Sequence, residues 1–134
     1  MTAKKAPPAP VDWEVLEVHK VVDGDTVDLL VTRPIGTLDQ FTISATGIVR
    51  IRLVHLDTPE RGEAGHDEAL DDLEDWLMGF DKSVDGGLRV VTQGKDAFGR
   101  YLGDVYAEVD RAETASDYMV REANEGLGWP VWMG

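Results

Sequence analysis

Five short β-rich runs, an amphipathic helical segment between the third and fourth, and a second helical segment near the end predict a mainly β α+β fold. That order of elements fits a five-stranded Greek-key barrel of the OB type with two or three helices. At 134 residues and 43% apolar content the chain can bury a core of its own, which excludes a disordered polypeptide. Residues 1–10, with two lysines and three prolines, read as a flexible tail, and residues 11–134 as one domain.

The first run, residues 13–22, is rich in β-formers, and Asp23-Gly24 is a strong hairpin signal. In the second run Val27, Leu29 and Val31 alternate with Thr26, Asp28 and Thr32, so one face is buried. A loose segment carrying Pro34, Gly36 and Gly47 is expected next, then a third strand from Val49 to Leu56. Its alternation sets Ile51 and Leu53 against Arg50 and Arg52. Thr58-Pro59-Glu60 has the chemistry of a helix or turn start. Leu70, Leu73, Trp76, Leu77 and Phe80 recur at helical spacing, ending near Gly79. Leu88 to Thr92 and Tyr101 to Glu108 read as the last strands, joined by the turn-rich 94–99. A second helix is expected from Ser116 to Glu125, with Gly126 at its end.

Charge restricts the partners. A formal net charge of −13 opposes nucleic-acid binding by the surface as a whole, since phosphate recognition draws on basic patches. Many of the acids, however, fall in one block: Asp67, Glu68, Asp71, Asp72, Glu74 and Asp75. They read as the solvated face of the first helix, turned away from any site. The absence of cysteine excludes disulfides and thiolate metal sites. No apolar run approaches the about 18 residues needed to cross a membrane, and no apolar stretch follows the N-terminal lysines. A cytoplasmic monomer without membrane association is the expectation, with secretion left open. His19, His55 and His66 share no ligand spacing and read as satisfied or exposed side chains.

Three motifs could carry chemistry: Asp23-Gly24-Asp25-Thr26, Arg52 through Asp57-Thr58-Pro59-Glu60, and Asp96-Ala97-Phe98-Gly99-Arg100. Alone, each has a plain reading as a turn or a strand end. In this order and spacing, over most of residues 13–128, they resemble the staphylococcal-nuclease (thermonuclease) family. The resemblance implies a metal-dependent hydrolysis of DNA or RNA to products with 3′-phosphates, and an OB-type groove with one aromatic platform adds the expectation that single strands are preferred. It implies that Asp25, Asp57 and the carbonyl of Thr58 hold one divalent cation, calcium first and magnesium or manganese as alternatives. Glu60 would orient or deprotonate the attacking water, and Arg52 and Arg100 would clamp the scissile phosphate.

Departures from the family pattern are Phe98 where tyrosine is usual, Arg61-Gly62-Glu63-Ala64 in place of a lysine-rich loop, and a longer segment between Arg33 and Ile48. Phe98 and Trp132 are candidate substrate contacts, and Trp129 stands near the same place in the pattern. A nuclease-like barrel serving as a binding or scaffolding module, and an assembly protein offering a peptide-binding surface, are the competing readings.

Overall fold

The computed structural model describes residues 9–80, 87–109 and 112–125. Its strands are β1 (Val11–Asp23), β2 (Thr26–Leu38), β3 (Phe41–Leu53), β4 (Leu88–Lys95) and β5 (Tyr101–Ala107). Two helices, α1 (His66–Phe80) and α2 (Ala115–Asn124), complete the described elements. The sheet closes on itself in the order β1-β2-β3-β5-β4, with β4 returning to β1. All pairings are antiparallel except β3 with β5, where Ile51, Arg52 and Leu53 face Tyr101, Leu102 and Gly103 in parallel register.

The alternation read from the sequence fills this ring. Val27, Leu29, Val31, Ile51, Leu53, Val90 and Val105 are buried in the core. Each such side chain contributes about 1.5–3 kcal/mol relative to exposure. On α1 the stripe Ala69, Leu73, Trp76 and Leu77 closes one side of the ring, while Asp67, Glu68, Asp71, Glu74 and Asp75 are exposed. Helix α2 starts in a capping box: Thr114 Oγ1 accepts from the Asp117 N–H and the Asp117 carboxylate accepts from the Thr114 N–H, both at 3.2 Å. Such caps contribute on the order of 1 kcal/mol.

Three sequence expectations need correction. The segment 34–47 is not loose: β2 and β3 run on as a regular two-stranded arm to a turn at Asp39-Gln40, with a bulge between Pro34 and Gly36. Pro34 is tolerated because the pairing of β1 with β2 reaches only Glu14↔Thr32, so among the described residues no strand pairs with β2 on its β1 side at Pro34. Second, β3 ends at Leu53 rather than Leu56; Thr58-Pro59-Glu60 opens a turn, the Glu63 N–H reaching the Glu60 carbonyl at 2.9 Å, and the helix waits until His66. The first backbone donor of that segment, the Thr58 N–H, goes to the Asp25 carboxylate at 3.0 Å instead of to a helix.

Third, the first hairpin turns on Gly24-Asp25, one residue beyond the Asp-Gly pair, and Gly24 is not there for a positive φ. A Cβ at Gly24 would lie 2.7 Å from Ala69 Cβ, so glycine is needed to let α1 press against the turn.

Candidate functional site

The three motifs come together at the end of the ring opposite the arm. Asp25 sits on the β1–β2 turn with little exposure, and its main-chain carbonyl accepts from the Leu53 N–H at 2.8 Å. That bond fixes the turn against the end of β3. Asp25 Oδ1 accepts from Thr26 Oγ1 at 2.9 Å and Oδ2 from the Thr58 N–H. The loop after β3 is pinned from behind: the Val54 N–H donates to Gly103 O at 3.0 Å and Ser116 Oγ donates to Val54 O at 2.9 Å.

Arg52 lies on the outer face of β3, as its alternation predicts. Its Nη1 donates to the carbonyls of Leu53 at 2.8 Å and Leu56 at 2.6 Å, and Nη2 reaches Asp57 Oδ1 at 3.2 Å and Asp25 Oδ2 at 3.5 Å. A guanidinium so fastened to main chain keeps its orientation without a ligand. Arg100 is held differently, from within its own turn. Asp96 Oδ2 accepts from Arg100 Nε at 2.6 Å, while Oδ1 accepts from the N–H groups of Phe98 and Arg100. Desolvation alone would raise the Asp96 pKa; the Arg100 and Phe98 donors and the guanidinium outweigh it and hold the carboxyl below its usual range.

A polar cavity of about 130 Å³ is lined by Asp25, Arg52, Asp57, Thr58, Glu60 and Arg100, together with Asp23 and Pro59. Every main catalytic and metal-binding candidate from the sequence therefore borders one space. Glu60 and Arg100 also border a more open hollow of about 360 Å³ with Phe98 and Arg50. Phe98 is 84% exposed and the Arg100 guanidinium carbon stands 5.3 Å from its ring centroid, so the ring offers a free face beside a cation. Trp129 and Trp132 lie outside the described residues.

Among the described residues no three His, Cys, Asp or Glu side chains gather as a metal cage. Two carboxylates, Asp25 and Asp57, converge on the Arg52 Nη2, and the buried Thr58 Oγ1 beside them has no hydrogen-bond partner. This is an all-oxygen donor set, which suits a hard divalent ion completed by main-chain oxygen and water.

Two residues that line these spaces, Asp23 and Arg50, carry no role in the sequence reading. Asp23 lines the cavity and pairs with His66 on α1, Oδ1 to Nε2 at 2.9 Å; Asp67 takes the other ring nitrogen at 3.1 Å. The hydrogen bond to the Asp23 carboxylate, then that to Asp67, raises the His66 pKa above its ordinary value. His66 is thus a satisfied histidine, as expected, but one that ties α1 to the turn. Arg50 forms a bidentate pair with Asp28, Nε to Oδ1 at 2.8 Å and Nη2 to Oδ2 at 2.9 Å, on the same face of β3 as Arg52. Pairing of Asp28 with Arg50 in the β2–β3 register is the signal that would have exposed it.

A roomier cavity, about 460 Å³, lies between α2 and the loop after β3, bordered by His55, Asp104, Ser116 and Arg121. None of the sequence-chosen site residues reaches it. Burial pushes the Asp104 carboxyl up, against hydrogen bonds that lower it, among them those from the Ser116 and Val105 N–H groups.

No protein-family model matches the chain. The sequence is 35% identical over 91 residues to a micrococcal nuclease of Shigella flexneri, covering 68% of this chain and 41% of that protein. It is 30% identical over 125 residues to an uncharacterized endonuclease of Escherichia coli O157:H7, covering 87% of this chain and 65% of that protein. A third relative is the protein ParB of Escherichia coli, 27% identical over 116 residues, covering 84% of this chain and 55% of that protein. The chain spans less than two thirds of the length of these curated relatives.

Proposed function

The chain carries a staphylococcal-nuclease-like domain, and from that premise we propose that it is a calcium-dependent phosphodiesterase that cuts nucleic acid and leaves 3′-phosphate ends. One observation carries the reading: Asp25, Arg52, Asp57, Thr58, Glu60 and Arg100, contributed by three distant motifs, line a single cavity the size of a phosphate group and its attacking water.

Arg52 and Arg100 bind the non-bridging oxygens of the scissile phosphate and offset the charge that accumulates on them as the fifth ligand arrives. Glu60, exposed at the rim, accepts a proton from the attacking water. Water adds to phosphorus as the bond to the 5′-oxygen breaks; that oxygen takes up a proton and leaves as a hydroxyl, and the phosphate stays on the 3′ side. A calcium ion held by Asp25, Asp57 and the Thr58 carbonyl would act as a Lewis acid on the same phosphate. Asp96 keeps Arg100 aimed, and Phe98 gives an unstacked base a face to lie on, which favours single strands over duplex.

The test is cleavage of plasmid, RNA and end-labelled single-stranded and duplex oligonucleotides by the full chain, with calcium or with chelator. Calcium-dependent products ending in 3′-phosphate are expected, with single strands cut faster. Calcium at about a hundred times its Kd should stabilise the fold by roughly 2.7 kcal/mol, seen as a higher Tm. Asp25→Ala or Asp57→Ala should remove both the shift and the activity, and Glu60→Gln should remove most activity while keeping much of the shift. An Asp25→Ala variant melting with the parent's calcium dependence would put the metal elsewhere. No cleavage of any substrate would leave the barrel as a binding module.

A further inference from the structure

Beyond the ring, β2 and β3 continue as the two-stranded arm of residues 33–48, and its two faces differ. Leu38 stands opposite Phe41 and Gly36 opposite Ile43, so Leu38, Phe41 and Ile43 share one face. By the alternation of β3 this is the face that further along carries Val49, Ile51 and Leu53 into the core. On the arm it is open: Leu38 and Phe41 are each 62% exposed and Ile43 is 44% exposed. The opposite face carries Thr42, Ser44 and Thr46, with Thr46 Oγ1 2.7 Å from Thr32 Oγ1, and an exposed Ile48 only at its base.

Among the described residues, no strand pairs with the outer edge of β2 beyond Thr32 or with the outer edge of β3 before Ile51. The arm therefore offers an apolar face and two open hydrogen-bonding edges, a combination that invites strand pairing. Its charge selects the partner. Between Pro34 and Ile48 the only ionisable residue is Asp39, in a chain of net charge −13. Beyond Arg33, which stands over the Trp13 ring at the base of the arm, a nucleic acid finds no cations there, and a basic partner finds almost no acids. Two copies of this chain repel one another over most of their surface, but not where their arms meet.

We propose that residues 33–48 are a self-association surface through which two copies of this chain pair arm against arm, Leu38, Phe41 and Ile43 of one packing on the same residues of the other about a twofold axis. The sequence had led to the expectation of a monomer; the open face, which no sequence pattern displays until the arm is seen to be regular, is the ground for this different reading. The pairing does not depend on the nuclease reading, since the arm leaves the ring at the end opposite the candidate site.

Sedimentation velocity on the full chain from about 1 to about 200 µM tests it. The expected result is a shift from one-chain to two-chain mass with concentration. The two-chain fraction should grow between 10 mM and 1 M salt, as the Debye length falls from about 30 Å to about 3 Å and repulsion is screened. Phe41→Glu with Ile43→Glu should stay at one-chain mass, while Thr42→Asn with Ser44→Asn on the other face should pair like the parent. A parent that keeps one-chain mass throughout overturns the proposal, and so does a glutamate variant that pairs as the parent does. A glutamate variant whose Tm falls equally at every concentration also overturns it, because the face would then be covered by this chain itself. Unchanged melting of that variant at the lowest concentration shows that it folds.

Discussion

Strands β2 and β3 have two ends, and the same alternating backbone is put to opposite uses at them. At one end Asp25, Asp28, Arg50 and Arg52 are locked in place by carboxylates, carbonyls and N–H groups, and Gly24 leaves no room even for a methyl group. At the other, from Arg33 to Ile48, side chains stand largely in solvent, and a Cβ added at Gly36 or Gly47 would meet nothing within 4 Å. The difference shows that strand geometry alone confers neither rigidity nor chemistry. The neighbours do, and only the end enclosed by α1, β5 and the loop after β3 has them.

The largest effect that would sharpen this contrast is on turnover. Arg52→Ala should lower kcat by about a hundredfold or more, the usual loss of about 3 kcal/mol when a transition-state donor is removed. Arg33→Ala, at the base of the arm and over the Trp13 ring, should leave kcat unchanged. Equal losses from both in a steady-state cleavage assay would mean that the arm takes part in catalysis.

Next comes a pair of glycines measured by denaturant unfolding. Gly24→Ala forces α1 away from the turn and should cost about 1–3 kcal/mol, the range for overpacking a filled site. Gly47→Ala meets nothing and narrows the unfolded ensemble, so a gain of about 0.4–1 kcal/mol is expected. If Gly24→Ala is neutral, the turn is not held by α1 and the two ends are more alike than described.

The smallest effect is a pH dependence confined to the site end. The His66 pKa in the folded chain is raised by Asp23 and Asp67. Its contribution is therefore fully present below the unfolded value of about 6.5 and is lost as pH rises through the folded value. The Tm difference between the parent and His66→Asn should shrink upward from about pH 6.5. A difference that stays flat from about pH 5 to about pH 9 would show that the histidine contributes by shape alone.

Much of this was legible in the sequence. Ile51 and Leu53 inward with Arg52 outward follows from alternation alone, and the stripe from Leu70 to Phe80 marked α1. The arm was misread because Pro34, Gly36 and Gly47 carry the local chemistry of a loop. They fit a strand only where the outer edge has no partner, and that is a property of the neighbours. The pairing of Asp23 with His66 is hidden for the same reason, since their 2.9 Å bond spans 43 positions and no local spacing announces it. Thr58-Pro59-Glu60 has the composition of a helix start, but the Asp25 carboxylate takes the Thr58 N–H and makes the segment a wall of the cavity.

The parallel pairing of β3 with β5 has a consequence in time. Ile51 meets Tyr101 only after the intervening chain has been gathered, and a loop of that length closes late because its entropy must be lost before any contact compensates. Arg52 lies within that ladder and Arg100 adjoins it, so the two guanidiniums border one cavity only when the last seam is shut. On the ribosome, a nascent chain that has not yet delivered β5 can hold Asp25 and Arg52 but has nothing to set across from them. The proposed cleavage would then appear in one step, once β5 is in place.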